Sequence, residues 1–287
     1  IRKGTTAATN AILELKGEQV LLVTNKGLGE VWEIGDQRRD QTFDLFARRK
    51  QLLQAQVHEI EGRISATGVV LSPVELSHAE FQTYLDRGIT CAAVVLLHGP
   101  LAPQEELKVA SFLSNLGFSQ VSVGHQVTSS RGFLGRLKTT IADASLSPLL
   151  PKDPALYMRS DGGLADHDST EWSGSKAALS GPAGGAVAVE HLCRLMDIKQ
   201  AFGFDMGGTS TDLCHYDGMI QRTSDLNVGG WPLKVPSIEI KTVAAGGGSV
   251  LASQEGLLSV GPESVGSAPG PACYGRGGTA SLTDAEV

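Results

Sequence analysis

Asp205-Met206-Gly207-Gly208-Thr209-Ser210-Thr211-Asp212 is the stretch of this sequence whose residue types are best suited to chemistry. Two adjacent glycines let backbone N–H groups approach a ligand with no Cβ in the way. Three successive hydroxyl residues add donors, and an aspartate closes each side. Such a turn can hold a polyphosphate, with amides and hydroxyls facing the oxygens while a carboxylate positions a hydrated Mg²⁺. Gly207, Gly208, Thr209, Ser210 and Thr211 are therefore the candidate cradle, and Asp205 and Asp212 the candidate catalytic pair. Of the two, Asp205 is the candidate metal-holding residue. The competing reading is a Gly-rich hairpin whose aspartates only accept turn hydrogen bonds. The paired aspartates and the Thr-Ser-Thr run favour the chemical one.

Two further segments are candidates. Ala245-Gly246-Gly247-Gly248-Ser249 is a flexible turn whose three glycines serve no core, so its backbone comes close to a ligand or to another loop. Gly246, Gly247, Gly248 and Ser249 join the cofactor-binding candidates. Gly4-Thr5-Thr6 opens a helix with hydroxyls at its positive end, where capping needs only one of them. Thr5, Thr6 and Asn10 are the candidate cleft residues. Gly275-Arg-Gly277-Gly-Thr-Ala280 formally fits GxGxxA, but no strand precedes it and no clear helix follows, so a dinucleotide site fails its context test.

These segments sit on alternating elements. The pattern predicts a helix over Thr5 to Leu15, a strand Val20–Val23 and a buried strand over Ile89 to Leu97. A helix follows from Pro103 to Gly117, then a strand ending at Val123, a helix from Phe133 to Ala144 and a strand at Leu156–Met158. Ser77 and Glu80 read as a capping box for a helix to Leu85. Residues 40 to 75 read as a polar, irregular insertion in which Phe43 to Ile60 could hold a helix. Short strands alternating with helices predict an α/β architecture with a largely parallel sheet.

After residue 181 glycine is denser, holding more than half of the 35 in the chain, and hairpin-linked strands are expected at 201–204, 213–216, 219–223 and 237–243. A lobe boundary is placed near Ser180, dividing the chain into 1–180 and 181–287. There Ser-Gly-Pro-Ala-Gly-Gly precedes a helix from Ala186 to Leu195, as a cap with Pro182 in the first turn or as a hinge aimed at an anion.

Composition narrows the classes. The 287 residues suffice for one large or two ordinary domains, and 41% hydrophobic with 19% charged residues is a globular balance. A net charge of −7 with no basic cluster argues against nucleic acid or an anionic membrane as partner. The longest apolar run, Ile89 to Leu97, is too short to cross a bilayer. Four cysteines stand far apart and no HExxH occurs, so neither a disulfide framework nor a zinc site is expected. The first residue is Ile1 rather than Met, so the chain reads as a piece of something longer.

Taken together, six segments resemble the hydantoinase A / 5-oxoprolinase family, in that family's order. They are Gly4–Ala11, Met158–Gly163, Ser180–Gly185, Asp205–Asp212, Ala245–Ser249 and Pro269–Gly278, and Leu282-Thr-Asp-Ala285 continues the match. The resemblance implies an RNase H-like, actin-like ATPase fold of two lobes closing on Mg·ATP, present here as an incomplete fragment. Asp205–Asp212 would match its second phosphate-binding hairpin. Members couple ATP hydrolysis to opening a cyclic amide, 5-oxoproline or a hydantoin, and related members serve ketone carboxylases. A hydantoinase B-type subunit or domain is the implied partner, and a homo-oligomer is compatible; the cytoplasm is expected from the scattered cysteines and the lack of an Asn-x-Ser/Thr site, not from the resemblance. A non-catalytic partner-binding module is the alternative outside the enzyme class. The family's upstream Asp-Gly-Gly-Thr hairpin and downstream adenosine turn are not in this sequence, so weak ATP binding by the isolated chain is expected. Ser160-Asp161-Gly162-Gly163 replaces the usual Ser-Asn-Gly-Gly, and Ser130-Arg131-Gly132 the usual Tyr-Glu-Arg, which bears on substrate choice.

Overall fold

A computed structural model describes residues 2–37, 53–153, 156–166, 168–254 and 256–287. The chain divides into two compact units, one of 1–181 with 223–237 and one of 182–222 with 238–287.

The first unit is built on a four-stranded parallel sheet in the order Ala55–Ile60, Val20–Asn25, Cys91–Val94, Gln120–Val123. All six residues of Val20–Asn25 are buried, as expected of a strand covered on both faces. Alternation sorts its side chains. Val20 and Leu22 join the core of helix Phe133–Leu146 with Leu137 and Ile141, while Leu21 and Val23 join Phe81, Val109 and Leu113. Phe81 comes from helix His78–Asp86 and the other two from helix Pro103–Leu116, which Gly117 ends at φ 118°. Arg2–Lys3 pairs with Leu156–Met158, which pairs with Leu164–Asp166.

Two buried charges pin the C-terminal ends of the parallel strands. Glu106 is fully buried and accepts from Leu96 N at 2.9 Å, His125 N at 3.0 Å and His125 Nδ1 at 2.6 Å. Arg136 donates to Leu96 O at 2.7 Å. Burial pulls the Arg136 guanidinium below its ordinary pKa, and Glu106 partly restores it.

Several local expectations are corrected. Ala55–Ile60 is an edge strand, not helix, because pairing along Val20–Asn25 outweighs a polar sequence with no clear period. The rest of the expected helix, 43–52, lies outside the described residues. The Ser77–Glu80 box does not form: Ser77 makes no side-chain cap bond, and Glu80 faces His58 Nε2 at 3.5 Å. The helix expected from Ala186 runs Ser180–Leu195, so Ser-Gly-Pro-Ala-Gly-Gly is its first turns rather than a hinge before it. Leu226–Val228 and Trp231–Leu233 form a hairpin that belongs to the first unit. Gly229 and Gly230, at φ 59° and 98°, supply its two-residue turn, and Trp231 Nε1 donates to Lys138 O at 3.1 Å. No described helix is long and apolar enough to cross a membrane.

The second unit packs helix Ser180–Leu195 on one face of the antiparallel sheet Gln200–Met206, Thr211–Asp217, Ile240–Val243. A Cβ on Gly203 would lie 2.4 Å from Cys214 Sγ and 2.8 Å from Val189, so only glycine admits the helix there. Ser249–Gln254 and Leu257–Ser264 form a separate hairpin.

Candidate active site

Strand alternation decides where the two aspartates go. Asp205 stands opposite Asp212, and Gly203 opposite Cys214, so both carboxylates share the sheet face that carries the helix. A pocket of about 210 Å³ opens there, lined by Asp205, Asp212 and the helix residues Pro182, Gly185 and Val189. Asp205 Oδ2 lies 3.9 Å from the position a Cβ on Gly185 would take, so the small first turns of the helix let the carboxylate approach. Thr242, opposite Asp212 on the third strand, donates its hydroxyl to Asp212 Oδ1 at 2.6 Å. Sequence reasoning missed Thr242; its signal is register alone, a hydroxyl two places beyond Ile240.

The tip of the hairpin is a set of donors without acceptors. Gly207 N is committed, donating to Ser210 O at 2.8 Å. The amides of Gly208, Thr209 and Ser210, and the hydroxyls of Thr209 and Ser210, have no hydrogen-bond partner among the described residues. A Cβ on Gly208 would meet nothing within 4 Å, and neither Gly207 nor Gly208 has a positive φ. Gly208 thus faces open space; no requirement of the backbone keeps it a glycine.

The structure gives other candidates supporting positions. Thr211 is buried and its hydroxyl donates to Ala245 O at 2.6 Å. Gly247 N donates to Gly207 O at 3.0 Å and Gly248 N to Gly208 O at 2.7 Å, while Ser249 Oγ accepts from Gly246 N at 2.9 Å. A Cβ on Gly246 would sit 2.6 Å from Gly207 O and 2.7 Å from Gly208 C. The triple glycine therefore approaches the hairpin backbone from behind, and its amides are occupied in holding it. Thr283 N and Oγ1 both donate to Gly247 O at 2.8 Å, a tie that sequence reasoning did not see. Next to it, Asp284 accepts from Cys273 N at 2.6 Å and Ser281 N at 2.7 Å. Desolvation opposes, but donors from Cys273 and Ser281 hold the Asp284 carboxyl well below its ordinary pKa.

Thr5, Thr6 and Asn10 lie in the first unit. Thr5 Oγ1 accepts from Ala7 N at 3.2 Å, and Asn10 Nδ2 donates to Thr6 Oγ1 at 3.3 Å. Ser180 Oγ donates to Thr5 O at 2.9 Å. Their polar groups thus serve a local turn before the helix, a side-chain pair one turn apart and a tie to Ser180, while the N-cap residue Thr6 makes no side-chain cap bond.

Among the described residues no group of three or more His, Cys, Asp or Glu could hold a metal ion; the carboxylates that the hairpin brings together are the pair Asp205 and Asp212.

Two family models match: the hydantoinase/oxoprolinase N-terminal region over residues 1–117 and hydantoinase/oxoprolinase over 133–287. The 5-oxoprolinase 1 of Arabidopsis thaliana is 38% identical over 100% of this chain and 25% of its own length. The caprolactamase subunit alpha of Pseudomonas jessenii is 29% identical over 99% of this chain and 44% of its own. The solved ATP-dependent caprolactamase from that bacterium superimposes with a TM-score of 0.80, covering 99% of this chain and 45% of that one. A nucleotide-free acetone carboxylase, 20% identical, shares the fold at a TM-score of 0.71 over 92% of this chain and 42% of that one. The chain spans about a quarter of the 5-oxoprolinase and under half of the other two.

Proposed function

This chain belongs to the hydantoinase/oxoprolinase family, and on that premise we propose that it is the nucleotide-handling part of an ATP-dependent enzyme that opens a cyclic amide. The observation that carries the reading is the hairpin tip, where the Gly208, Thr209 and Ser210 amides and two hydroxyls have no partner among the described residues, beside the Asp205–Asp212 pair. The names of its relatives, a 5-oxoprolinase and an ATP-dependent caprolactamase, support the substrate class.

In this reading Gly208, Thr209 and Ser210 bind the phosphate oxygens through main-chain and hydroxyl donors, fixing the transferring group without further reorganisation. Asp205 holds the water shell of the metal, and Asp212, restrained by Thr242, keeps the second carboxylate on the same face. Gly246, Gly247, Gly248, Ser249 and Thr211 hold the hairpin in shape. Bound Mg·ATP would supply the phosphoryl group that activates the amide carbonyl. A two-lobe, actin-like ATPase arrangement, with the division near residue 181, belongs to the same proposal. So does a B-type partner, since the caprolactamase relative is named as a subunit.

The test is substrate-stimulated ADP release by the complete protein with its B-type partner, offered 5-oxoproline, a hydantoin, caprolactam and acetone. Stimulation by one of the cyclic amides is expected. Stimulation by acetone alone would move the assignment to the ketone carboxylases, and no nucleotide turnover with any of them would refute it.

A further inference from the structure

Two relays of peptide groups run into the hairpin tip, both within the second unit. A trans peptide holds its C=O and the following N–H on opposite sides of one plane. Whatever fixes the carbonyl therefore aims the amide that follows it. Gly207 O accepts from Gly247 N at 3.0 Å, and Gly208 O from Gly248 N at 2.7 Å. Both carbonyls are turned back toward the triple glycine, so the Gly208 and Thr209 amides in the same planes point the other way. Those amides are among the tip donors with no partner among the described residues.

The same rule carries the constraint one plane further back. Gly247 N shares a plane with Gly246 O, which accepts from Ser249 N at 2.9 Å. Gly248 N shares a plane with Gly247 O, which accepts from both N and Oγ1 of Thr283 at 2.8 Å. One relay thus begins at the main chain of Ser249 and ends at the Gly208 amide. The other begins at Thr283, side chain included, and ends at the Thr209 amide. Close packing keeps the second one tight. A Cβ on Gly247 would lie 2.8 Å from Thr283 Oγ1, and one on Gly248 2.9 Å from Gly208 O. Thr283 is itself anchored, because its neighbour Asp284 accepts from Ser281 Oγ at 2.9 Å and Ala272 N at 3.1 Å. Each hydrogen bond in such a chain polarises the next.

We propose, resting on the nucleotide reading above, that Thr283 is a positioning residue for phosphate. It acts through the Gly247–Gly248 and Gly208–Thr209 peptides rather than by contact, aiming and polarising the Thr209 amide.

The protein, isotope-labelled at glycine and threonine nitrogen, is titrated with Mg·tripolyphosphate and Mg·ATP as parent, Thr283→Ala and Thr283→Ser. Thr283→Ala removes the hydroxyl but keeps the main-chain bond to Gly247 O, so the turn keeps its frame. In that variant the Thr209 amide resonance is expected to move, while Gly208, served by the other relay, stays in place. Affinity for both polyphosphates should fall about three- to tenfold, the worth of one net hydrogen bond. Thr283→Ser restores the hydroxyl and should bind within about twofold of the parent. Thr283→Val, which fills the space without donating, should behave as the alanine variant does. An unmoved Thr209 amide or parent-like affinity in folded Thr283→Ala would overturn the inference. So would equal movement of Gly208 and Thr209, the mark of a loop that has merely loosened. A parent whose tip amides respond to neither polyphosphate is the separate outcome that sinks the nucleotide reading, and the phosphate role of Thr283 with it.

Discussion

Asp205 and Asp212 face each other directly across the antiparallel pair Gln200–Met206 and Thr211–Asp217, on the side of the sheet that carries the helix. Directly opposed like charges on strands repel. A hairpin that keeps such a pair is less stable empty than it need be. Asp205→Asn should therefore stabilise the ligand-free protein by up to about 1 kcal/mol. The same change should weaken Mg·ATP binding by at least about tenfold. Paired melting curves and nucleotide titrations, with and without Mg²⁺, measure both. Tighter Mg·ATP binding by the variant would contradict the role given to the pair.

Gly208 separates a folding role from a binding role. A Cβ there meets nothing within 4 Å and the backbone needs no positive φ, so Gly208→Val should fold and melt as the parent does. A branched side chain would occupy the space from which phosphate reaches the tip amides. Nucleotide affinity should fall by about a hundredfold, near 2.7 kcal/mol. Unaltered nucleotide binding by the folded variant would show that the tip is not the cradle.

Gly246 should behave in the opposite way. Its Cβ would press 2.6 Å from Gly207 O and 2.7 Å from Gly208 C, both backbone atoms that cannot step aside. Gly246→Ala should cost about 1–3 kcal/mol in urea unfolding, with nucleotide binding reduced because the hairpin is displaced.

Glu106 tests the buried charges of the first unit. Glu106→Ala leaves the buried Arg136 without its compensating carboxylate and the Leu96 and His125 amides without an acceptor. A loss of about 3–5 kcal/mol is expected from chemical denaturation. A loss below 1 kcal/mol would mean that water replaces the carboxylate.

Asp284 carries a pH dependence with a definite sign. Its folded pKa lies below the unfolded value, so its contribution is present above about pH 3.9 and is lost as pH falls from there toward the folded value. Asp284→Asn should be the less stable protein at neutral pH, and the gap between the two should narrow steadily as pH falls below about 3.9. Urea midpoints across that range read the difference. A gap that widens in acid would reverse the assignment.

The hairpin's geometry was legible because the residue types that make it are close in sequence. Gly-Gly, three hydroxyls and two aspartates are local facts, and their neighbours along the chain are their neighbours in space. The buried strand near Cys91–Val94 and the helix Pro103–Leu116 were legible for a related reason, since apolar period and Pro/Gly punctuation act within a few residues. Ala55–Ile60 was not, because its strand state comes from pairing with Val20–Asn25, across an interval that its own composition does not encode.

By itself, the order of residues determined that this chain carries a Gly-Gly hairpin closed by two aspartates, alternating helices and strands, and the run of motifs of one family. Tertiary structure decided which donors are free. Hydrogen-bond capacity is the same for every amide in a glycine-rich turn, and only the placement of a distant carbonyl uses it up. Thus Gly247 and Gly248 spend their amides on Gly207 and Gly208, while the amides of Gly208, Thr209 and Ser210 have no partner among the described residues.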